Sequence, residues 1–391
     1  MTIALDFDAV GIDRLRDRGG MKWSAFPDKI GAFVAEMDFG TAPAITRALH
    51  AAVDASAFGY LPRAVSEEMS EAAAEWCRDR YGWAIPAADI HPLADVLKGL
   101  ELAIEHYSRP GSPVILPTPA YMPFLRVPVA MGREIIEVPM SEDGGRYSLD
   151  LEGIERAFEA GGGLLVLCNP YNPVGRVFLR EELTALSAVV ERQGGRVFSD
   201  EIHAPLVYAP GTHVPYASIS PTAAGHTVTA TSASKAWNLP GLKTAQLIVS
   251  NEADAEVWET AGQTASHGAS NLGVIANTVA YREGGEWLAA VLEYLDGNRR
   301  FLGEALAAQL PGIRYRAPEG TYIGWLDARG LGLGEAPAEF FREHAGVAMT
   351  EGSATGPAGT GFMRFVFATP RPIIGQAVEQ MAAAFLARGG S

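Results

Sequence analysis

Apolar residues recur along the chain with two different periods. Over 44–56 the spacing is helical, and Phe58-Gly59-Tyr60 supplies a glycine stop. Val65, Met69, Ala72 and Trp76 then form one apolar stripe at i, i+4, i+7 and i+11, which predicts a second helix. A third is predicted over 91–107, with Val96, Leu100, Ala103, Ile104 and Tyr107 on its apolar face. Beyond it, short apolar runs alternate with helical segments. Strands are predicted at 113–117, 133–138, 164–168, 196–200, 226–231 and 245–249, with helices at 149–159 and 181–192. That alternation predicts an α/β architecture: a mostly parallel sheet sandwiched by helices, with functional residues on the loops at the strands' carboxyl ends.

The pattern changes near residue 285. A long helix at 286–309 precedes short strands around 313–327 and 362–367, as expected of a smaller α+β C-terminal domain. Residues 1–43 are of mixed polarity, punctuated by Gly19-Gly20, Pro27 and Pro43, and read as an extended arm. Within it, 33–39 reads as a short strand whose Glu36 and Asp38 face solvent. The expected division is thus an arm (1–43) packing on the small domain, a large domain (44–285) and a small domain (286–391).

Composition narrows the classes of function. The chain has 391 residues, 48% hydrophobic and 20% charged, as in an ordinary globular enzyme. A formal net charge of −15 argues against nucleic acid or an anionic membrane as the main partner. Cys77 and Cys168 lie far apart without metal-ligand spacing, so neither a disulfide framework nor a zinc site is expected. The first ten residues lack the basic and apolar regions of a signal peptide, which makes a cytoplasmic protein the expectation.

The candidate chemistry sits at the predicted strand ends. The run 226–231 breaks into Ser232 and Ser234 and delivers Lys235, with Lys243 shortly after. A lysine ending a buried strand is costly unless it is paired, neutralised or used covalently. Two nearby hydroxyls and a second cation suit a phosphate ester, so the run fits a pyridoxal 5′-phosphate Schiff base; a solvated loop lysine is the plainer alternative. Asp200 ends the run 196–200, where a carboxylate can keep a pyridine nitrogen protonated or simply cap a helix. Asn169 and Asn172 stand beside prolines in C-N-P-Y-N-P-V-G, a rigid turn with an amide available to a phenolic oxygen. Tyr121 follows the run 113–117, placed either to stack on a ring or to be half-buried at the surface. Arg364, in R-F-V-F, can grip a carboxylate with two N–H groups or form a structural ion pair.

Taken in order, these segments resemble the fold-type I pyridoxal-phosphate-dependent aminotransferases from end to end, and most of all their cystathionine β-lyase (cysteine C–S lyase) branch. The similarity is carried by K-W (22–23), V-A-E-M-D-F (34–39), F-G-Y (58–60), T-P-A-Y-M-P-F (118–124) and C-N-P-Y-N-P-V-G-R (168–176). It continues through S-D-E-I-H (199–203), S-A-S-K-A-W-N-L-P-G-L-K (232–243), P-E-G-T-Y-I-G-W-L-D (318–327) and G-F-M-R-F-V-F-A-T-P-R (361–371). The resemblance implies that Lys235 carries the cofactor and acts as base on the substrate's Cα proton. It implies that Asp200 pairs with the pyridine nitrogen, Asn172 bonds the ring hydroxyl with His203 near that oxygen, and Tyr121 stacks on the ring. Ser232, Ser234, Lys243 and the amides at Asp95 and Val96 would bind phosphate, joined by Tyr60 from a neighbouring subunit of a homodimer with shared sites. Arg364 would hold the α-carboxylate of a small amino-acid substrate. Lys243 stands where arginine is common, L-A-D-V (93–96) lacks the usual small pair, and Ala236-Trp237 is bulkier than usual. The reaction expected is β-elimination from cysteine S-conjugates; the alternatives are transamination at the same site and a non-catalytic regulator that keeps the fold.

Overall fold

The structure is a computed structural model describing residues 6–389. Seven strands make the central sheet: β1 (Ile90–Leu93), β2 (Val114–Thr118), β3 (Ile135–Pro139), β4 (Leu164–Cys168), β5 (Arg196–Asp200), β6 (Thr227–Thr231) and β7 (Ala245–Val249), in the spatial order β1-β7-β6-β5-β4-β2-β3. β2 through β6 pair in parallel, whereas β7 is antiparallel to both its neighbours, β1 and β6. β2, β4 and β7 are buried at every position, which explains their continuous apolar runs. Helices cover both faces, as expected when crossovers link parallel strands. One consequence decides the function: Leu93, Thr118, Cys168, Asp200 and Thr231 all end at the same edge, where β7 begins.

The predicted helix over 91–107 is two elements. Its first three residues join strand β1, and the helix proper is Val96–His106, started by the Asp95 side chain accepting from the Lys98 amide at 2.9 Å. The helix predicted at 44–56 is Pro43–Asp54, closed before Ser56 takes a left-handed conformation, so Gly59 is not the stop. The hairpin Ser141–Asp143 with Arg146–Ser148, and the helices Glu252–Ala265 and Asn271–Glu283, had no expectation in the sequence.

A second, antiparallel sheet orders Arg314–Tyr315, Ile323–Asp327, Phe362–Val366 and Thr350–Glu351, backed by the helices Gly285–Gln309 and Arg371–Arg388. The expected arm is not simply extended. Residues 1–5 lie outside the described residues; the rest forms short helices at Ile12–Arg18 and Met21–Ser24, then a two-residue strand, Ile30–Gly31, parallel to Val347–Ala348. Residues 33–39 are not a strand, and Asp38 is buried rather than solvent-facing, because Lys22 neutralises it. No helix among the described residues is long and apolar enough to cross a membrane.

Candidate active site

A cavity of about 730 Å³ opens at the carboxyl edge of the sheet. It is lined by Asp95, Val96, Tyr121, Asn172, Asp200, His203, Ser232, Ser234, Lys235, Lys243 and Arg364. Eleven separately predicted residues therefore meet in one space. Tyr60 does not: it is fully exposed and lines a different cleft of about 1050 Å³ with Phe58, His91 and Ser270.

The floor is electrostatically tuned by burial. Asp200 accepts from the Ile202 amide at 3.0 Å, with the Cys168 thiol 3.9 Å from its other oxygen. Burial pushes its carboxyl up to about 7, against the opposing pull of that amide and of Lys235. Lys235 donates to the Ala35 carbonyl at 3.0 Å. Burial, with the Arg364 charge nearby, lowers its ammonium to about 8, so a minority of the amine is neutral near pH 7. His203 is buried with its ring nearly perpendicular to that of Tyr322, and burial lowers it to about 3, leaving a neutral imidazole. Burial also raises the Tyr121 phenol, which stays protonated.

Arg364 is buried on the strand Phe362–Val366. Nη2 donates to the Phe33 carbonyl at 2.7 Å and Nη1 lies 3.4 Å from Asn172 Oδ1. Its Nε has no hydrogen-bond partner among the described residues, nor does His203 Nδ1. Two buried polar atoms left orphaned at one cavity fit a polar group that completes them. Burial lowers the guanidinium to about 10, still fully charged at neutral pH.

The opposite end suits an anion. Residues 94–97 line the cavity at the start of the helix Val96–His106, where first-turn amides lack intrahelical partners. Lys243, held in a left-handed conformation, pairs with Asp95 at 2.9 Å. Ser232 has a different task from the one expected: its hydroxyl donates to the Thr244 carbonyl at 2.7 Å and accepts from the Ser234 amide at 3.0 Å, so it braces the lysine loop. Ser234 has the freer hydroxyl. An amine, a carboxylate and an anion cradle in one buried cavity suit an aldehyde-bearing, ring-nitrogen-containing phosphate ester, and pyridoxal 5′-phosphate fits all three.

The resemblance places the arm near this site, but its main-chain contacts there had no expectation in the sequence. Ala35 O accepts from both Lys235 and the Tyr322 hydroxyl (2.9 Å), and the Asn238 side chain bonds Met37 N and Met37 O at 2.9 Å each. Main-chain carbonyls carry no residue-type signal; a tyrosine opening a strand in T-Y-I-G-W and the conformationally tolerant Asn238 were the readable hints.

The class I and II aminotransferase family model matches residues 28–380, and the chain belongs to that family. Among relatives, it is 40% identical to the cystathionine beta-lyase of Corynebacterium glutamicum, covering 95% of this chain and 98% of that protein. It superposes with a TM-score of 0.90 on cystalysin from Treponema denticola, whose crystal structure contains pyridoxal 5′-phosphate, at 29% identity over 95% of this chain and 97% of that one. The pyridoxal-phosphate-bound C–S lyase of Staphylococcus hominis gives 0.89 at 27% identity, over 97% and 100%.

Proposed function

We propose that this protein is a pyridoxal-phosphate-dependent carbon–sulfur β-lyase, cleaving L-cystathionine or another S-conjugate of L-cysteine, with water, to a thiol, pyruvate and ammonia. The observation that carries the reading is the meeting of Lys235, Asp200 and Arg364 in one buried cavity beside an anion cradle. The relatives named as cystathionine or C–S lyases support it.

When bound, pyridoxal phosphate supplies an electron sink conjugated to the substrate's α-carbon. The side chains do the rest. Arg364 grips the α-carboxylate through N–H groups including the free Nε, which orients the Cα–H bond. Lys235 Nζ, freed when the substrate's own amine takes its place on the cofactor, would remove the Cα proton. Asp200, gaining a cationic partner at the ring nitrogen, ionises and keeps that nitrogen protonated. Asn172 and neutral His203 would offer N–H groups to the ring hydroxyl, Tyr121 would cover the ring face, and Ser234, Lys243 and the amides at Asp95 and Val96 would take the phosphate. Loss of the Cα proton then expels the sulfur substituent from Cβ.

The same reading includes three coarser inferences. Exposed Phe58 and Tyr60, beside the larger cleft, suit a homodimer in which Tyr60 reaches the partner's phosphate. The two sheets suit a large domain over 44–285 and a small one over 286–391 joined by the arm. The reaction and the two reduced thiols suit the cytoplasm.

The test is release of pyruvate and thiol from L-cystathionine by cofactor-loaded protein with no keto acid added. Catalytic release of both, lost in Lys235→Ala, is expected. No release, with conversion of the cofactor to an amine form that a keto acid reverses, would replace the lyase with a transaminase.

A further inference from the structure

We infer that Lys22 and Asp38 are positioning residues for this reaction: their buried ion pair holds the segment 33–38 so that its backbone carbonyls fix Lys235 and Arg364. The inference rests on the roles assigned above to those two residues.

Lys22 is 1% exposed and Asp38 5%, and their charged atoms are 2.8 Å apart. Burying such a pair costs desolvation free energy, and a pair of apolar residues of similar volume would often serve stability as well. What the pair adds is direction. The Lys22 ammonium has three acceptors for its three protons: Asp38 Oδ2, Glu36 O at 3.4 Å and Ala368 O at 3.4 Å. Asp38 Oδ1 accepts from Trp23 Nε1 at 2.8 Å, its amide donates to Ala368 O at 3.0 Å, and its carbonyl accepts from Arg18 at 3.2 Å. The arm folds back tightly enough that a Cβ on Gly31 would lie 2.1 Å from the Lys22 carbonyl oxygen, so only glycine fits there.

The bonds of the segment alternate. The carbonyls of Glu36 and Asp38 point to the anchor, through Lys22 and Arg18. Those of Phe33, Ala35 and Met37 point to the site. Phe33 O accepts from Arg364 at 2.7 Å and Thr350 at 3.1 Å, Ala35 O from Lys235 and Tyr322, and Met37 O from Asn238, three residues after the lysine. The segment is bent rather than extended, the Glu36 amide donating to Val34 O at 2.8 Å, and this short turn couples the peptides so that holding 36 and 38 fixes the aim of 33, 35 and 37. The anchor touches neither Lys235 nor Arg364 and acts only through this strap.

The test is the double variant Lys22→Met/Asp38→Asn, which leaves no unpaired buried charge and keeps an acceptor for Trp23. In cofactor-free protein, reductive methylation of Lys235 against pH, read by peptide mass, reports its amine without any catalysis. The groups facing that amine are Asp200, Arg364 and Glu36, with His203 neutral. Ala35 O favours the charged form, so loosening it moves the methylation midpoint to lower pH by about half a unit. In loaded enzyme, KM for the amino acid rises by about two- to tenfold as Arg364 loses its fixed aim, with a smaller change in kcat. A folded double variant with the parent's midpoint and KM would overturn the inference. If that variant does not fold, Trp23→Phe removes the indole N–H to Asp38, with part of the ring, while leaving the Lys22–Asp38 pair, and the same two shifts are expected at smaller size; none would overturn it. A parent protein that cleaves no cysteine conjugate would sink the lyase reading while the methylation profile still decides the strap.

Discussion

Arg364→Lys tests the substrate side of the account most sharply, because it keeps the charge and removes the fork. In the parent, Nη2 is spent on Phe33 O at 2.7 Å and Nη1 lies 3.4 Å from Asn172, leaving Nε and the outer N–H directions for a carboxylate. A lysine ammonium at the same place is a point charge that can satisfy Phe33 O or a carboxylate oxygen, but not the planar two-point contact. The variant thus loses about one charge-assisted hydrogen bond to substrate, worth about 1.5–3 kcal/mol. At about 1.4 kcal/mol per decade, kcat/KM falls roughly 10- to 150-fold. Because the α-carboxylate is held in ground and transition states alike, most of the loss falls on KM. Steady-state cleavage of a cysteine S-conjugate, with the visible absorbance of the bound cofactor as a control for site integrity, measures it. A kcat/KM within twofold of the parent, with cofactor normally bound, would refute the assignment of Arg364 to the carboxylate.

Two further outcomes concern stability. Asp38→Ala strands the Lys22 ammonium in the interior and destabilises the fold by about 3–5 kcal/mol, read as a lower denaturant midpoint with an unchanged slope; a loss under 1 kcal/mol would mean the pair is not buried as described. His203 and His226 are lowered by burial to about 3 and about 4, so the unfolded chain binds their protons first as pH falls. Their contribution is intact above about pH 6.5 and is lost below it, at about 1.4 kcal/mol per pH unit each until the folded-state values are reached. Melting of cofactor-free protein from about pH 7 to pH 5 should show this decline, shallower in His226→Gln; an identical slope in that variant would count against it.

Strands buried on both faces were the most legible parts of the chain. The ranges 164–168, 196–200 and 245–249 emerged residue for residue, because an apolar run bounded by polar loops has few other homes. The direction of β7 was not legible, since antiparallel and parallel buried strands share one pattern. At 91–107, His91-Pro92-Leu93 is too short to show a strand period, so the helical stripe after Asp95 absorbed it. The cavity-lining side chains Lys235 and Asp200 were readable from strand ends, whereas Arg364 sits in the middle of Phe362–Val366 and was readable as a lone charge in an apolar run. The strap was not, for two physical reasons: backbone carbonyls are the same in every residue, and a charged side chain reads as solvent-facing until its partner is known. Lys22 lies sixteen positions before Asp38, beyond any local pattern. Tyr60 stands apart from the other predicted site residues: it is fully exposed and lines the other cleft.

The central claim is that the carboxyl-edge cavity is a reaction centre built on Lys235. Loading the protein with pyridoxal phosphate, reducing with borohydride and mapping the labelled peptide addresses it directly. The chain has five lysines, Lys22, Lys29, Lys98, Lys235 and Lys243, so the outcome is unambiguous. Stoichiometric phosphopyridoxyl label is expected on Lys235 and none on Lys243, although both line the cavity. Label on any other lysine, or none on a folded protein given excess cofactor, would contradict it.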